Sequence, residues 1–365
     1  MPKTLKTFTS FQAARAIAAL LVVFYHCFVI FDQPKYWNCS WDKYLVFGDS
    51  GVGFFFVLSG IVILNAHWAD RGHPEALRTY VWKRLRRIYP IYWIVLASVM
   101  IVLQLTPSFG TGVERKPSVI ISSIFLVHIF ENNTVLTVAW TLYHEMMFYV
   151  AFAFVIVHRV FGFILLGLWM CCSIYALVLP PANPVLSAYF SPLHLLFGFG
   201  MIAMLFVRSR TVPAPRLLLL LGTAGFIATG VCEDLAGAPL PMAIVWYGLT
   251  ATLCALGLME LERAGRIAVP RIVAFLGNAS YSIYLVHFPA LSVIAKFTYP
   301  LWLRAKVPLI FPFTVLAVGS IALGVLVHLL IERPLLNLLR RPQIPIILAN
   351  TGRRSRPFSL PLVPR

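Results

Sequence analysis

At 365 residues, 60% of them apolar and 12% charged, with a mean hydropathy of +0.84, the chain holds more apolar sequence than a soluble globule can bury, which excludes the soluble classes. Its net charge of +17 would suit a nucleic-acid partner, but the Lys and Arg residues sit beside apolar spans without a nucleic-acid motif, so no nucleic acid is expected. Six cysteines show no metal-ligand spacing, and no metal is expected either.

The apolar stretches, in chain order, are 12–31, 50–68, 88–106, 118–130, 136–157, 161–180, 190–207, 216–231, 240–259, 277–295 and 308–331. The first follows Lys3 and Lys6 as a signal peptide would. FDQPKYW comes next without a small-residue cleavage site, so the stretch reads as a retained helix. Eleven crossings would put RSRTVPAPR (Arg208 to Arg216) and the Arg-rich C-terminus on the side opposite the first basic loop, against the positive-inside rule. The weakest stretch is SVIISSIFLVHIF (Ser118 to Phe130), whose length and serines suit a short re-entrant or interfacial segment. Without it the chain reads as an all-α polytopic membrane protein of about ten transmembrane helices with both termini cytoplasmic.

That topology gathers Lys3, Lys6, the basic residues from Arg71 to Arg87, Arg159, Arg208, Arg210, Arg216, Arg263, Arg266, Arg271 and the C-terminal tail inside. Only Lys35, Lys43, Arg115, Lys116, Lys296, Arg304 and Lys306 fall outside. Cys39 and Cys232 share the outer side, where an oxidising compartment would allow a disulfide; the other cysteines lie in apolar spans as packing residues. Residues 1–341 form one membrane domain and 342–365 a cytoplasmic tail, whose end, LVPR (Leu362 to Arg365), matches the run left by thrombin cleavage of a tag.

Two ionisable residues stand in the first span, Arg15 and His26. Eleven helical positions bring them within roughly 20° of one face and about 16 Å apart along the axis. Such residues are costly in a bilayer and usually face a bundle interior or wet cavity; the plainer reading of Arg15 is snorkelling to the headgroups. Next, GVGFFFVLSG (Gly51 to Gly60) reads as a tightly packed span with Ser59 and Gly60 at a close helix contact. The loop LRTYVWKRLRRIYPIYW (Leu77 to Trp93) places Arg84, Arg86 and Arg87 at the cytoplasmic mouth of the third span, followed by Tyr89, Tyr92 and Trp93. These arginines either anchor the span or recognise a phosphorylated donor.

AWTLYHEMMFYV (Ala139 to Val150) carries a third intramembrane charge, Glu145, at about the depth of His26. A carboxylate beside His26 would fix its tautomer and suit it to act as a general base on a hydroxyl; alternatively Glu145 pairs with His144 or caps another helix. A zinc-protease motif is excluded, because Met-Met-Phe follows His144-Glu145 where a second histidine is needed. In LGNASYSIYLVH (Leu276 to His287), Ser280, Tyr284 and His287 share one face, lining a cavity or knitting helices together. Tyr89, Trp140, Asn278, Ser280, Tyr284 and His287 are the expected cavity-lining residues.

The Arg15/His26 spacing, GVGFFFVLSG, RLRRIYP, WTLYHE, GNASYSIYLVH and a closing ERP (Glu332 to Pro334), in that order over residues 10–335, resemble the acyltransferase-3 family of integral membrane acyltransferases. Within these 365 residues the resemblance is to the stand-alone branch that includes exopolysaccharide O-acetyltransferases. One departure is Gly53, where many members carry an acidic residue, with Asp49 as the candidate substitute. The resemblance implies transfer of an acyl group, commonly acetyl, from cytoplasmic acetyl-CoA to a sugar hydroxyl of an extracytoplasmic or lipid-linked polysaccharide, at a bacterial inner membrane. Membrane lipid, a glycan acceptor and polysaccharide synthesis or export machinery are then the partners. Arg15, Arg84, Arg86 and Arg87 would hold coenzyme A, and His26 with Glu145 would carry the chemistry, either as base or as transient acyl carrier. The rival reading is a transporter or exporter, although it usually brings internal repeats or paired broken helices that are not evident here.

Overall fold

The computed structural model describes residues 8–41, 45–128, 133–240 and 242–339. Lys3, Lys6, Lys43 and the 342–365 tail lie outside the described residues. Thirteen helices follow one another, with no strand among the described residues: α1 (Ser10–Asp32), α2 (Gly51–Ala66), α3 (Leu77–Leu105), α4 (Pro117–Phe125), α5 (Trp140–Val157), α6 (Arg159–Val178), α7 (Pro184–Tyr189), α8 (His194–Ser209), α9 (Pro215–Ala236), α10 (Ala243–Arg263), α11 (Arg271–Ala305), α12 (Ile310–Val327) and α13 (Arg333–Leu338). Among the described residues, nine helical stretches are long and apolar enough to cross a bilayer. A tenth, α11, is the longest element at 35 residues but carries the polar GNASYS run, so composition alone sets it apart. The chain is thus the all-α polytopic bundle its composition requires.

Three elements differ from the sequence reading. The basic segment before the third span is not a loop: α3 begins at Leu77 and continues through Pro90, because Leu, Lys and Arg are good helix formers. As a result Arg84 and Arg87 ride on the first turns of a rigid helix. The span expected at 277–295 extends from 271 to 305 and keeps Pro289 and Pro300 inside it. The last span does not stop at 331; it runs through a π-helical turn, His328–Glu332, into α13.

The short fourth segment is a nine-residue helix, as its serines and length suggested. Its final carbonyls, which no intrahelical donor reaches, are met from α3: Tyr92 Oη donates to Ser123 O at 2.7 Å, Trp93 Nε1 to Ile124 O at 2.9 Å and Tyr89 Oη to Phe125 O at 2.7 Å. Tyr89 therefore docks α4 and lines no part of the basic cavities described below, which corrects its expected role. Cys39 and Cys232 are both free thiols, so the outer disulfide is not formed.

Helix contacts are made where side chains are smallest. A Cβ on Gly200 of α8 would lie 2.0 Å from Val57 O of α2, and one on Gly60 would lie 2.2 Å from Phe197 O. Between lipid-solvated helices, where no hydrophobic gain is available, such close backbone approach supplies the association energy. Gly200→Ala should therefore lower the thermal unfolding midpoint of the detergent-solubilised protein, by an overpacking cost of about 1–3 kcal/mol. Gly167→Ala, at a glycine with open space beside it, provides the control, and equal midpoints for the two variants would contradict the α2–α8 contact.

Candidate functional site

Two adjoining cavities occupy the end of the bundle where α1 begins. The first, about 560 Å³, lies between α1, α2, α3 and α5 and is lined by Arg15, Ser59, Arg84, Arg87, Glu145 and Tyr149, among others. The second, about 720 Å³, shares Gln12, Arg15, Arg84 and Arg87 with it and adds Arg86, Asn278, Ser280, Tyr281 and Glu332. The shared residues make one basic chamber of two lobes. All four arginines singled out in the sequence meet there, although they come from two helices far apart in the chain.

The charge in this chamber is not internally balanced. Arg15 and Arg87 make no hydrogen bond or ion pair among the described residues. Arg84 Nη2 reaches only His67 Nε2 at 3.4 Å, and its Nε has no partner; Arg86 Nη1 reaches Leu339 O at 3.4 Å. Two carboxylates line the walls, but both already have donors. Glu145 accepts from Tyr149 Oη and, at 3.4 Å, from Ser59 Oγ. Glu332 accepts from Ser282 Oγ at 2.7 Å and is paired with His328 Nδ1 at 2.7 Å. Holding several guanidiniums away from bulk water costs several kcal/mol per unpaired ion, and an anionic ligand with planar oxygen forks is the group that recovers it.

Glu145 thus belongs to the arginine chamber and does not touch His26, contrary to the expected histidine–carboxylate pair. Its neighbour His144 turns the other way, as adjacent helical residues must, and its Nδ1 lies 2.9 Å from His194 Nε2. Trp140 packs edge-on against His144 at 5.8 Å, outside both lobes of the chamber. Asp49 precedes α2 and is close in space to Glu233 of α9, remote from the arginines. A Cβ on Gly53 would lie 3.3 Å from Leu196 Cδ1.

His26 has a different partner, His287 of α11. The rings lie 4.9 Å apart at 66°, with His26 Nδ1 3.3 Å from His287 Nε2. The protons can be placed from their surroundings. His287 Nδ1 is 2.6 Å from Tyr284 O, and His26 Nδ1 is 2.9 Å from Val22 O. Carbonyl oxygens only accept, so both Nδ1 atoms carry hydrogen. His287 Nε2 is then a lone pair facing the His26 Nδ1–H, and His26 Nε2 is left with its own lone pair and no partner among the described residues. Between this pair and the chamber runs the polar stripe of α11: Ser280 in the chamber wall, Tyr284, whose hydroxyl meets Thr141 Oγ1 at 2.9 Å and Val138 O at 3.0 Å, and then His287.

The sequence reading missed Glu332 and His328 as chamber residues. Their signal was an i, i+4 histidine–glutamate pair at the end of an apolar run, and the π-turn that carries them is a feature often found at functional sites. Tyr149, which holds Glu145, was missed as well.

The membrane bundle thus holds an arginine-lined chamber at one end of α1 and the His26–His287 pair farther along it. The family model for the acyltransferase domain of the acyltransferase-3 family matches residues 8–329, and the chain belongs to that family. It is a multi-pass membrane acyltransferase. It is similar to the exopolysaccharide production protein ExoZ of Rhizobium meliloti (strain 1021), with 31% identity over 301 residues, covering 79% of this chain and 90% of that protein. No solved structure matches the chain significantly.

Proposed function

We propose that the protein is an O-acetyltransferase that moves the acetyl group of cytoplasmic acetyl-CoA to a sugar hydroxyl of an exopolysaccharide or its lipid-linked precursor, in a bacterial inner membrane with both termini cytoplasmic. The observation that carries this reading is the His26–His287 pair, which presents a fixed lone pair on the same helix as Arg15. Similarity to an exopolysaccharide production protein supports a glycan acceptor. Polysaccharide synthesis or export machinery is the fitting partner.

In this reading the phosphates of coenzyme A bind Arg15, Arg84, Arg86 and Arg87, and the thioester arm runs along α1 toward His26, a rise of about 16 Å. His26 Nε2 takes the proton of the acceptor hydroxyl as its oxygen attacks the thioester carbonyl carbon. The carbon–sulfur bond breaks, the ester forms, and the proton held by His26 passes to the leaving thiolate. His287 Nε2, accepting from His26 Nδ1–H, stabilises the transient imidazolium and keeps the ring in the basic tautomer. Glu145 and Glu332 act at the donor end, where they orient the chamber walls.

Three outcomes test this reading. In cells lacking the gene, acetyl esters should disappear from surface or secreted glycans and return with wild type but not with His26→Ala; rescue by that variant would remove His26 from the mechanism, and no change in acetyl esters would overturn the acetyl assignment. Arg15→Ala should weaken coenzyme A binding to the purified protein by about tenfold, the value of one charge-assisted contact, and unchanged affinity would return Arg15 to headgroup anchoring. His287→Asn should lower kcat by about tenfold or more, part of the 10²–10⁴ that a general base supplies, leave the donor KM unchanged and shift the pH–rate profile. A parallel loss in kcat and KM would instead mark a packing role.

A further inference from the structure

On the same end of the bundle, but outside the chamber, two arginines stack on one indole, and a third lies near them. Trp68 lies in the loop after α2, with the guanidinium carbon of Arg71 3.5 Å and that of Arg208 4.0 Å from its ring centroid. Arg71 Nε donates to Trp68 O at 2.7 Å, and Arg208 Nη1 donates to Asn65 Oδ1 at 3.1 Å. Gly72, at φ +78°, brings the loop against Arg159, to whose Cβ an added Cβ would lie 3.2 Å, and Gly72 N donates to Val155 O at 3.0 Å. The acidic residue of this loop, Asp70, is turned to His67 at 2.8 Å. Partial burial, and then repulsion from Arg159 and Arg208, lower the proton affinity of the Arg71 guanidinium.

Beside this cluster opens a groove of about 470 Å³ between Trp68 and the bilayer-facing side of α8, where Ile202, Leu205 and Phe206 lead to Arg208 and Ser209. Those three apolar side chains are exposed on a helix that meets the requirements for a membrane span. Arginines that only marked orientation would spread into solvent; Arg71 and Arg208 are instead stacked on one ring despite their mutual repulsion. An acyl chain suits the groove, and a negative headgroup suits its end.

We propose that Arg71 and Arg208, stacked on Trp68, bind the phosphate headgroup of an anionic phospholipid whose acyl chain lies along Ile202, Leu205 and Phe206 of α8. Charge complementarity at the end of a lipid-facing apolar groove selects such a lipid over a zwitterionic one. The site does not depend on the proposed acetyl transfer and would stand if the donor or acceptor assignment failed.

Native mass spectrometry of the full chain in detergent, titrated with phosphatidylglycerol or phosphatidylcholine, tests the site. Wild type should retain phosphatidylglycerol preferentially, and Arg71→Gln and Arg208→Gln should each lower that preference by about fivefold. Arg271→Gln, at an exposed arginine beginning α11, should keep the wild-type ratio. Equal retention of the two lipids by wild type, or an equal loss in Arg271→Gln, would overturn the proposal, as would displacement of the lipid by inorganic phosphate at the lipid's own concentration. If Arg208→Gln does not fold, Arg71→Gln decides, because its side chain is on the loop and partly exposed.

Discussion

The close packing of α1 against α11 positions both ends of the functional axis. Gly277 stands where any Cβ would lie 2.0 Å from Gln12 O, and beyond it Ala19, Val23, Cys27 and Ile30 interlock with Ala279, Ile283, Leu291 and Ala295 in one buried cluster. Small residues at this seam let the two backbones run side by side, in an environment where dispersion and close fit replace the hydrophobic effect. The same seam that seats Gln12 and Arg15 in the chamber wall carries His26 up to His287. A wider separation would break the ring pair, whose nitrogens are already 3.3 Å apart.

The two ends of that axis divide the chemistry by charge. At the chamber, both carboxylates are occupied by hydroxyl or imidazole partners, so they shape the walls without forming ion pairs with Arg15 or Arg87. The positive charge stays available to a ligand. At the other end, among the described residues, no carboxylate is hydrogen-bonded to either His26 or His287. In the proposed reaction, recruitment of an anion and activation of a neutral hydroxyl would therefore occur on one helix without the groups of one neutralising those of the other.

Much of this was legible in the sequence, for reasons that can be traced to particular residues. Arg15 and His26 stood out because each violates the apolar rule of a span, and Arg84, Arg86 and Arg87 because three guanidiniums precede an aromatic run. Gly60 was read as a close contact and is one. What a linear sequence does not carry is which helices adjoin. Glu145 was matched to His26 by depth, yet α5 presents it to the arginines, while α11 supplies the true neighbour of His26 from 261 positions away. The aromatics after Arg87 carried the pattern of interface anchors, and nothing in that pattern reveals that they cap α4. Glu332 was quoted only as part of a closing motif, since its partner Ser282 lies on another helix.

In the proposed mechanism the partner of His26 among the described residues is a second histidine, and this bears on how the base is tuned. A carboxylate beside the imidazole would also fix its tautomer, but it would bring a full negative charge into a low-dielectric interior, at a desolvation cost of several kcal/mol. A second neutral imidazole avoids this. It accepts from Nδ1, fixes the tautomer and meets positive charge only as that charge develops, so its interaction is stronger in the transition state than in the resting enzyme, the condition under which binding energy becomes rate. A thioester is an activated acyl donor and asks for modest basicity, and holding donor and acceptor in line supplies much of the remaining barrier reduction. In the proposed mechanism the close α1–α11 seam would therefore be a catalytic feature as much as a packing one, because it sets the distance over which that interaction acts.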